Sequence, residues 1–236
     1  MIEGKIVAIS GAAGGLGPTV ARAFFKAGAT LCVAGRSLDS LTRMLDALEA
    51  PAGRRMATAV DLLDARAAKE WAGAIQKRFG RVDAVLHLVG GFKGGTSIEE
   101  IDPADWSAVS DMLVRTTLNV ARAFAVPLRT GGWGRFIGVT SPKALAPTAK
   151  SALYAMGKAA SDALVLALAN ELRGTGATAN LIVVDSIDTP ETRDAQPKKA
   201  YGKSTPAEEI AAAMLFLCAD GAATINGARL PLTGRG

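Results

Sequence analysis

The fold of this chain is decided by the stretch KIVAISGAAGGLG at residues 5–17. The apolar run Lys5–Ser10 predicts a buried strand, and the pattern over Leu16–Ala27 predicts a helix. A glycine-rich turn therefore joins strand to helix. Glycines let the main chain turn tightly and approach a pyrophosphate, and the helix N-terminus offers free N–H groups to the phosphates. The stretch predicts a dinucleotide-binding βα unit.

The spacing of the glycines leaves two patterns open. Gly11, Gly15 and Gly17 fit G-x3-G-x-G, whereas Gly11, Gly14 and Gly17 fit G-x2-G-x2-G. A glycine-rich turn alone is weak evidence for a ligand. Here the strand before it and the helix after it supply the structural context that the motif requires.

Apolar strand-like runs alternate with longer helical patterns along the whole chain. Such alternation predicts a parallel sheet covered by helices on both faces. No linker or repeat interrupts it, so we predict a single doubly wound α/β domain over residues 1–236. The predicted strands are Lys5–Ser10, Thr30–Ala34, Ala57–Val60, Val82–Val89, Arg135–Thr140, Ala177–Val184 and Ala228–Leu232. The predicted helices are Leu16–Ala27, Leu38–Leu48, Ala65–Arg78, Pro103–Leu128, Leu153–Leu172 and Ala207–Cys218.

The composition is that of a globular protein with a full core, since 49% of the 236 residues are apolar and 21% are charged. The net charge is +5 at pH 7, but the basic residues are scattered, which argues against a nucleic-acid partner. Uninterrupted apolar stretches such as Ala163–Ala169 are far shorter than the roughly 18 residues of a membrane span. We therefore expect no membrane partner and a cytoplasmic location.

Cysteine and histidine are too few for several kinds of site. Cys32 and Cys218 are the only cysteines and lie in apolar runs, so we expect both to be buried. Their number excludes a disulfide framework and a thiolate metal site, and no metal is expected. His87 is the only histidine, so a Ser-His-Asp triad is excluded unless this residue supplies it.

Ligands of doubly wound sheets bind beyond the carboxyl ends of the strands, so residues that follow strands carry the cofactor prediction. The second predicted strand ends at Gly35-Arg36, where an NAD-binding protein usually has an acidic residue. Gly35 leaves room, and Arg36 can bind a 2′-phosphate, which favours NADP(H) while leaving NAD(H) possible. Asp61 follows the third strand and either accepts a bond from the adenine amino group or caps a helix.

Three side chains after the fifth strand form a candidate catalytic set. Ser141 follows that strand, Tyr154 lies thirteen residues later, and Lys158 follows after four more. Tyr154 and Lys158 share one face of a helix, so the ammonium is expected to lower the pKa of the phenol. Ser141 can hydrogen-bond and orient a substrate oxygen. The set predicts proton transfer for a carbonyl/alcohol pair, with hydride exchanged with a nicotinamide.

With these motifs the chain resembles the short-chain dehydrogenase/reductases from end to end. The resemblance implies a Rossmann-type, mostly parallel seven-stranded sheet, NAD(P)H-dependent reduction of carbonyls, and a homotetramer or dimer. It implies catalytic roles for Ser141, Tyr154 and Lys158. The cofactor-binding residues it implies are Gly11, Gly15, Leu16, Gly17, Arg36, Asp61, Gly90, Tyr154, Lys158, Ile187 and Thr189.

The chain departs from the family pattern in three places. His87-Leu88-Val89-Gly90 replaces the usual Asn-Asn-Ala-Gly, and we interpret His87 as structural. Leu113 stands where the family has a catalytic asparagine; Asn119 is out of register. Val184-Asp185 replaces Pro-Gly. We therefore expect an active but slowed enzyme.

The segment Pro190–Lys203 holds the family's substrate lid, and its polar composition predicts a short mobile loop. Lys198 and Lys199 on it could attract an anionic substrate, although a solvated loop is the simpler interpretation.

Two functions compete. The leading one is an NADP-dependent oxidoreductase for a ketone or secondary alcohol. The alternative, which the departures keep open, is a dinucleotide-binding sensor or scaffold with weak or no turnover. Chemistry on a nucleotide sugar is disfavoured because the larger substrate region that it requires is absent.

Overall fold

The computed structural model describes residues 2–195 and 204–233. Its strands are β1 Ile6–Ser10, β2 Thr30–Gly35, β3 Arg55–Ala59, β4 Ala84–His87, β5 Gly134–Thr140, β6 Ala177–Val183, β7 Ser186–Asp188, β8 Ser204–Pro206 and β9 Arg229–Pro231. Its α-helices are α1 Gly17–Lys26, α2 Leu38–Ala47, α3 Ala65–Phe79, α4 Pro103–Ser110, α5 Thr116–Thr130, α6 Ala152–Glu171, α7 Pro190–Ala195 and α8 Ala207–Leu217.

Seven of the described strands form one parallel sheet in the order β3-β2-β1-β4-β5-β6-β9. Strands β1 to β3 are added towards one edge of the sheet and β4, β5, β6 and β9 towards the other, so the order of addition reverses between β1 and β4. There Ser10 of β1 is in register with both Ala34 of β2 and His87 of β4. This switch point is where doubly wound sheets bind ligands. The predicted parallel Rossmann-type sheet is confirmed.

The central strands β1, β4 and β6 are buried along their whole length because helices cover both faces of the sheet. On one face α1 and α8 pack through Phe24 and Met214, and on the other α3 and α5 pack through Trp71 and Phe124. Neighbouring strand residues contribute alternately to the two cores, as the two-residue period of a strand requires. The two cysteines are buried and unbonded, and burial raises the pKa of each thiol to about 12.

The long helix predicted over Pro103–Leu128 is interrupted. A π-helical turn, Asp111–Arg115, separates α4 from α5, and α5 continues to Thr130 with Pro127 inside it. Periodicity did not reveal the turn because a single π turn shifts the apolar face by only one residue.

The segment predicted as a loop over Pro190–Lys203, at the carboxyl edge of the sheet, is partly regular structure. Pro190–Ala195 forms the short helix α7, and β7 pairs in parallel with β8, a pairing that we had not predicted. Ser204–Pro206 is strand, so α8 begins at Ala207. Lys198 and Lys199 lie outside the described residues.

Among the described helices, α6 alone is long and apolar enough to cross a membrane, judged by length and composition only. Counting uninterrupted apolar residues missed it because Lys158 and Asp162 lie within it. In the fold, α6 packs against α5 and β6 and buries residues from Leu153 to Ala169. Its place in the core accounts for its apolar composition.

Candidate active site

Two glycines of the turn after β1 are required by the backbone packing. Gly11 has φ of 74°, and a Cβ there would lie 2.9 Å from the amide nitrogen of Val89. A Cβ at Gly17 would lie 2.0 Å from the carbonyl oxygen of Ala12. The amides of Gly11 and Ala12 donate to the carbonyl of Ala34, at 3.1 and 3.2 Å, which ties the turn to the end of β2.

The middle of the turn suits a phosphate group. The amides of Gly14 and Gly17 donate within the turn, whereas those of Gly15 and Leu16 have no main-chain acceptor among the described residues. Both lie at the N-terminus of α1, where free N–H groups and the helix dipole favour anions. A Cβ at Gly15 would meet only the side chain of Thr189, at 3.5 Å, so the turn borders an open cleft.

The residues predicted to contact the adenosine end are exposed. Gly35 keeps ordinary van der Waals distances to its neighbours, and Arg36 follows it on the surface. The carboxylate of Asp61 accepts a hydrogen bond from the amide of Leu63 at 3.0 Å, so it caps its own turn. The side-chain amide of Asn119 donates to the carbonyls of Leu62 and Leu63, at 2.8 and 3.1 Å. Asn119 therefore anchors the loop that follows β3. The sequence showed only that Asn119 does not align with the family's asparagine, and it gave no sign of this structural role.

The structure brings the three predicted catalytic side chains together. Ser141 follows β5, is fully buried, and lies close enough to the hydroxyl of Tyr154 to favour its ionised form. Lys158 lies one turn along α6, and its Nζ is 5.9 Å from the centroid of the Tyr154 ring. That ammonium donates to the carbonyl of Val139 at 2.8 Å. Strand β5 thus positions both Ser141 and Lys158.

Burial dominates the titration of this cluster. Burial lowers the pKa of Lys158 to about 8. The pKa of Tyr154 is raised, because burial outweighs the hydrogen bond from Ser141, and the charge of Asp185 adds to the rise. The sequence-based expectation of a lowered tyrosine pKa is therefore wrong. The residue is a protonated phenol at neutral pH, which is the form that donates a proton.

His87 occupies a structural position in the network beside the lysine. Its Nδ1 lies 2.8 Å from the hydroxyl of Ser10, and its Nε2 lies 3.1 Å from that of Thr117. Burial, together with the charge of Lys158, lowers the pKa of the imidazole to about 3. His87 is therefore neutral at physiological pH and joins the end of β1 to α5.

The helix is distorted by a π turn at Leu113 although the family's asparagine is absent. The carbonyl of Leu113, inside the π-helical turn, lies 2.6 Å from the hydroxyl of Thr117 and 2.8 Å from that of Ser161. These hydroxyls satisfy the group that the π turn frees from the regular helix bonds. The Leu113 side chain packs with Val109 and Leu153.

Two further predicted cofactor residues lie against parts of the site already described. A Cβ at Gly90 would lie 3.5 Å from Nζ of Lys158, so this glycine covers the lysine. Thr189 is buried beside Gly15 and accepts from the amide of Thr192, at the start of α7. Ile187 is half-buried in β7 and packs against the core, so it lies apart from these contacts, as Arg36 and Asp61 do.

Two contacts at the cleft were not predicted. The ring of Phe92 packs edge-on against Tyr154, with centroids 5.1 Å apart, and remains largely exposed. Lys143 forms an ion pair with Asp185 at 2.8 Å and so joins the segments that follow β5 and β6. The available signals were an aromatic residue two positions after Gly90 and opposite charges after neighbouring strands.

Comparisons with known proteins agree with this geometry. A family model described as "Enoyl-(Acyl carrier protein) reductase" matches residues 11–234. The chain is 29% identical over 241 residues to meso-2,3-butanediol dehydrogenase of Serratia marcescens, covering 98% of this chain and 94% of that protein.

Two solved structures give the same result. A short-chain type dehydrogenase/reductase from Mycobacterium ulcerans superposes with a TM-score of 0.90 at 24% identity, covering 99% of this chain and 90% of that one. A 3-ketoacyl-(acyl-carrier-protein) reductase from Brucella melitensis, complexed with NADH, has a TM-score of 0.87 at 25% identity, covering 100% and 99%. The chain therefore belongs to the short-chain dehydrogenase/reductase family and is an NAD(P)-dependent oxidoreductase that acts on alcohol or carbonyl groups.

Proposed function

We propose that the protein is an NADP(H)-preferring oxidoreductase that interconverts a ketone and a secondary alcohol. The observation that carries this proposal is the buried cluster of Ser141, Tyr154 and Lys158 beside the glycine turn. Such a cluster places a proton donor next to a site where a dinucleotide fits.

Each side chain has one role in this reaction. The protonated phenol of Tyr154 donates its proton to the oxygen of a bound ketone, and its phenolate takes that proton back in the reverse direction. Ser141 hydrogen-bonds the same oxygen and orients it. The ammonium of Lys158 stabilises the phenolate left behind. A bound nicotinamide supplies or accepts the hydride.

The NADP preference rests on Gly35 and Arg36. A Cβ at Gly35 would make only ordinary van der Waals contacts, with Leu41 and Ala13, so the end of β2 carries no side chain there. The guanidinium of the exposed Arg36 can form charge-assisted bonds to a 2′-phosphate. No acidic residue stands at this position to bind the ribose hydroxyls and repel the phosphate. NAD(H) remains a second, weaker cofactor in this proposal.

We also propose that the protein is a cytoplasmic homo-oligomer. Leu118 and Val126 on α5 and Met156 on α6 are large apolar side chains that remain exposed in one chain. Light scattering after size exclusion tests the assembly, and a monomer would contradict it.

The decisive experiment is NADPH oxidation measured against ketones, aldehydes and 3-oxoacyl thioesters. Vicinal hydroxyketones belong in the panel because a relative is named for butanediol. Turnover of at least one ketone that is lost in Tyr154→Phe supports the proposal. NADPH binding without turnover on the whole panel would instead favour the sensor or scaffold, an alternative that the replacements at Leu113 and Asp185 support.

A further inference from the structure

A small cavity lies beside Lys158. Its volume is about 10 Å³, which is about the space that one water molecule needs. The polar residues that line it are His87, Thr117, Lys158, Ser161 and Asp162. Because a buried water needs two to four polar partners, this site suits one.

Asp162 is the lining residue that the mechanism leaves unexplained. It is 3% exposed, and its Oδ2 pairs with the guanidinium of Arg229 from β9. Its Oδ1 is buried and has no hydrogen-bond partner within the described part of the chain. A buried carboxylate oxygen without a donor is costly, so the cavity is the natural place for one.

Other acceptors near the cavity are already engaged. The carbonyl of Leu113 has two hydroxyl neighbours, Thr117 and Ser161. The nitrogens of His87 are held by Ser10 and Thr117. A water in the cavity that lies within reach of Lys158 therefore finds its free acceptor at Asp162.

We propose that Asp162 is a positioning residue that holds Lys158 through one water molecule in this cavity and sets the charge balance of the Tyr154–Lys158 pair. Lys158 and Asp162 are one helical turn apart on α6, so they lie on the same face. The proposal rests on the proposed catalytic roles of Tyr154 and Lys158.

Few other charges act on Lys158, Asp162 and Tyr154. The ionisable groups that face Lys158 and Asp162 are Tyr154 on α6 itself, His87 on β4 and Arg229 on β9. Tyr154 also feels the charge of Asp185, which is paired with Lys143 and is the same in every variant of the test. The π turn, α5, β5 and β6 contribute to the cavity Leu113, Thr117, Gly138, Val139 and Leu181, which carry no charge. Substitutions of Asp162 and Arg229 are therefore the way to change the charge that acts on Lys158 and Tyr154.

The test is a spectroscopic titration that needs neither cofactor nor turnover. The chain has two tyrosines, Tyr154 and Tyr201. In a Tyr201→Phe background, the tyrosinate absorbance reports Tyr154 alone. Asp162→Asn removes a negative charge, so the midpoint should move to lower pH by about 0.5 to 1 pH unit. Arg229→Gln removes a positive charge and should move it to higher pH.

The opposite signs separate this proposal from a purely structural ion pair. Loss of packing alone would lower the unfolding temperature in both variants and shift both midpoints the same way, or neither; either result overturns the proposal. The double variant Asp162→Asn/Arg229→Gln should titrate near the background protein. If Asp162→Asn does not fold, two results still test the proposal. The Tyr154 midpoint should rise in Arg229→Gln, and it should return to the background value in the double variant.

Turnover provides the second measurement. The basic limb of the pH profile for ketone reduction should move to lower pH in Asp162→Asn, with little change in KM. A midpoint shift in a protein without turnover would support the role of Asp162 and contradict the proposed function. Turnover with unchanged Tyr154 midpoints would support the proposed function and contradict the role of Asp162.

Discussion

At the catalytic end of the site, Ser141, Lys158 and His87 are buried and hydrogen-bonded within the protein, whereas at the adenosine end Arg36 and Asp61 lie on the surface. The first group is positioned before any ligand binds. The second group offers exposed charge, and a ligand must supply the remaining contacts. Catalysis requires the positioned kind, because reacting groups need fixed geometry. Selection between two cofactors requires only a difference in affinity.

The variant Tyr154→Phe gives the strongest test of this difference between the catalytic end and the adenosine end. Removing the hydroxyl should lower turnover by roughly 10² to 10⁴, the usual contribution of a general acid. NADPH affinity should stay nearly the same because the ring remains. Steady-state rates and fluorescence titration of NADPH measure both quantities. Lys158→Ala is the companion variant and should impair turnover and binding together, since a lysine at this position can also reach the nicotinamide ribose hydroxyls. A Tyr154→Phe protein with unimpaired turnover would remove the tyrosine from the mechanism.

The buried network at the catalytic end also predicts a dependence of stability on pH. The pKa of His87 is about 3 in the fold, against 6.5 for the ordinary side chain. Below pH 6.5 the unfolded chain therefore binds a proton that the fold excludes, so stability falls as pH falls. From pH 7 to 4 this group should cost about 3 kcal/mol.

The matched variant is His87→Asn, which removes the only histidine. Urea unfolding of both proteins at pH 7 and pH 4 isolates the histidine, because all carboxylates are common to the two. The wild type should lose about 3 kcal/mol more than the variant between these pH values. Equal losses would show that the imidazole is not held neutral.

A smaller effect is expected at the adenosine end. Charge-assisted bonds contribute about 1.5–3 kcal/mol, so Arg36→Asp should weaken NADPH binding by at least about tenfold and spare NADH. Arg43→Asp, an exposed change of the same charge on α2, is the control and should change neither affinity by more than about twofold. A wild type that binds NADH as tightly as NADPH would make the assignment to Arg36 wrong.

The smallest effect is expected for Leu113→Asn. The family's asparagine would restore a polar side chain, but the π turn is already formed and its carbonyl already has hydroxyl donors. We expect kcat to rise by less than about tenfold, part of one general acid–base contribution, with NADPH affinity unchanged. Burying the amide among Val109 and Leu153 should cost about 1–3 kcal/mol of stability.

Val109→Asn is the control for this variant, because it buries an amide in the same cluster. It should lose stability without gaining rate. An equal gain in both variants would mean that loosening of the cluster, and not the asparagine, sets the rate. If the wild type shows no turnover and Leu113→Asn restores none, the binding-protein alternative becomes the better interpretation.

The sequence by itself determined the sheet, the order of its helices and the position of the site. The alternation of apolar runs and the glycines at 11 and 17 encode local geometry, and local geometry fixes a βα unit. It also placed Ser141 after β5 and Tyr154 one turn before Lys158 on α6, because strand ends and helical spacing follow from residue numbers alone.

Tertiary structure alone decided how the side chains behave. Whether the pKa of Tyr154 rises or falls depends on the balance between burial and neighbouring charges, and that balance is absent from a linear pattern. Three contacts of the site join residues that lie 30 to 67 positions apart in the sequence. They are those of His87 with Thr117, of Ser161 with the carbonyl of Leu113, and of Arg229 with Asp162. Such contacts arise only when separate helices and strands pack together, so their partners could not be read from the sequence.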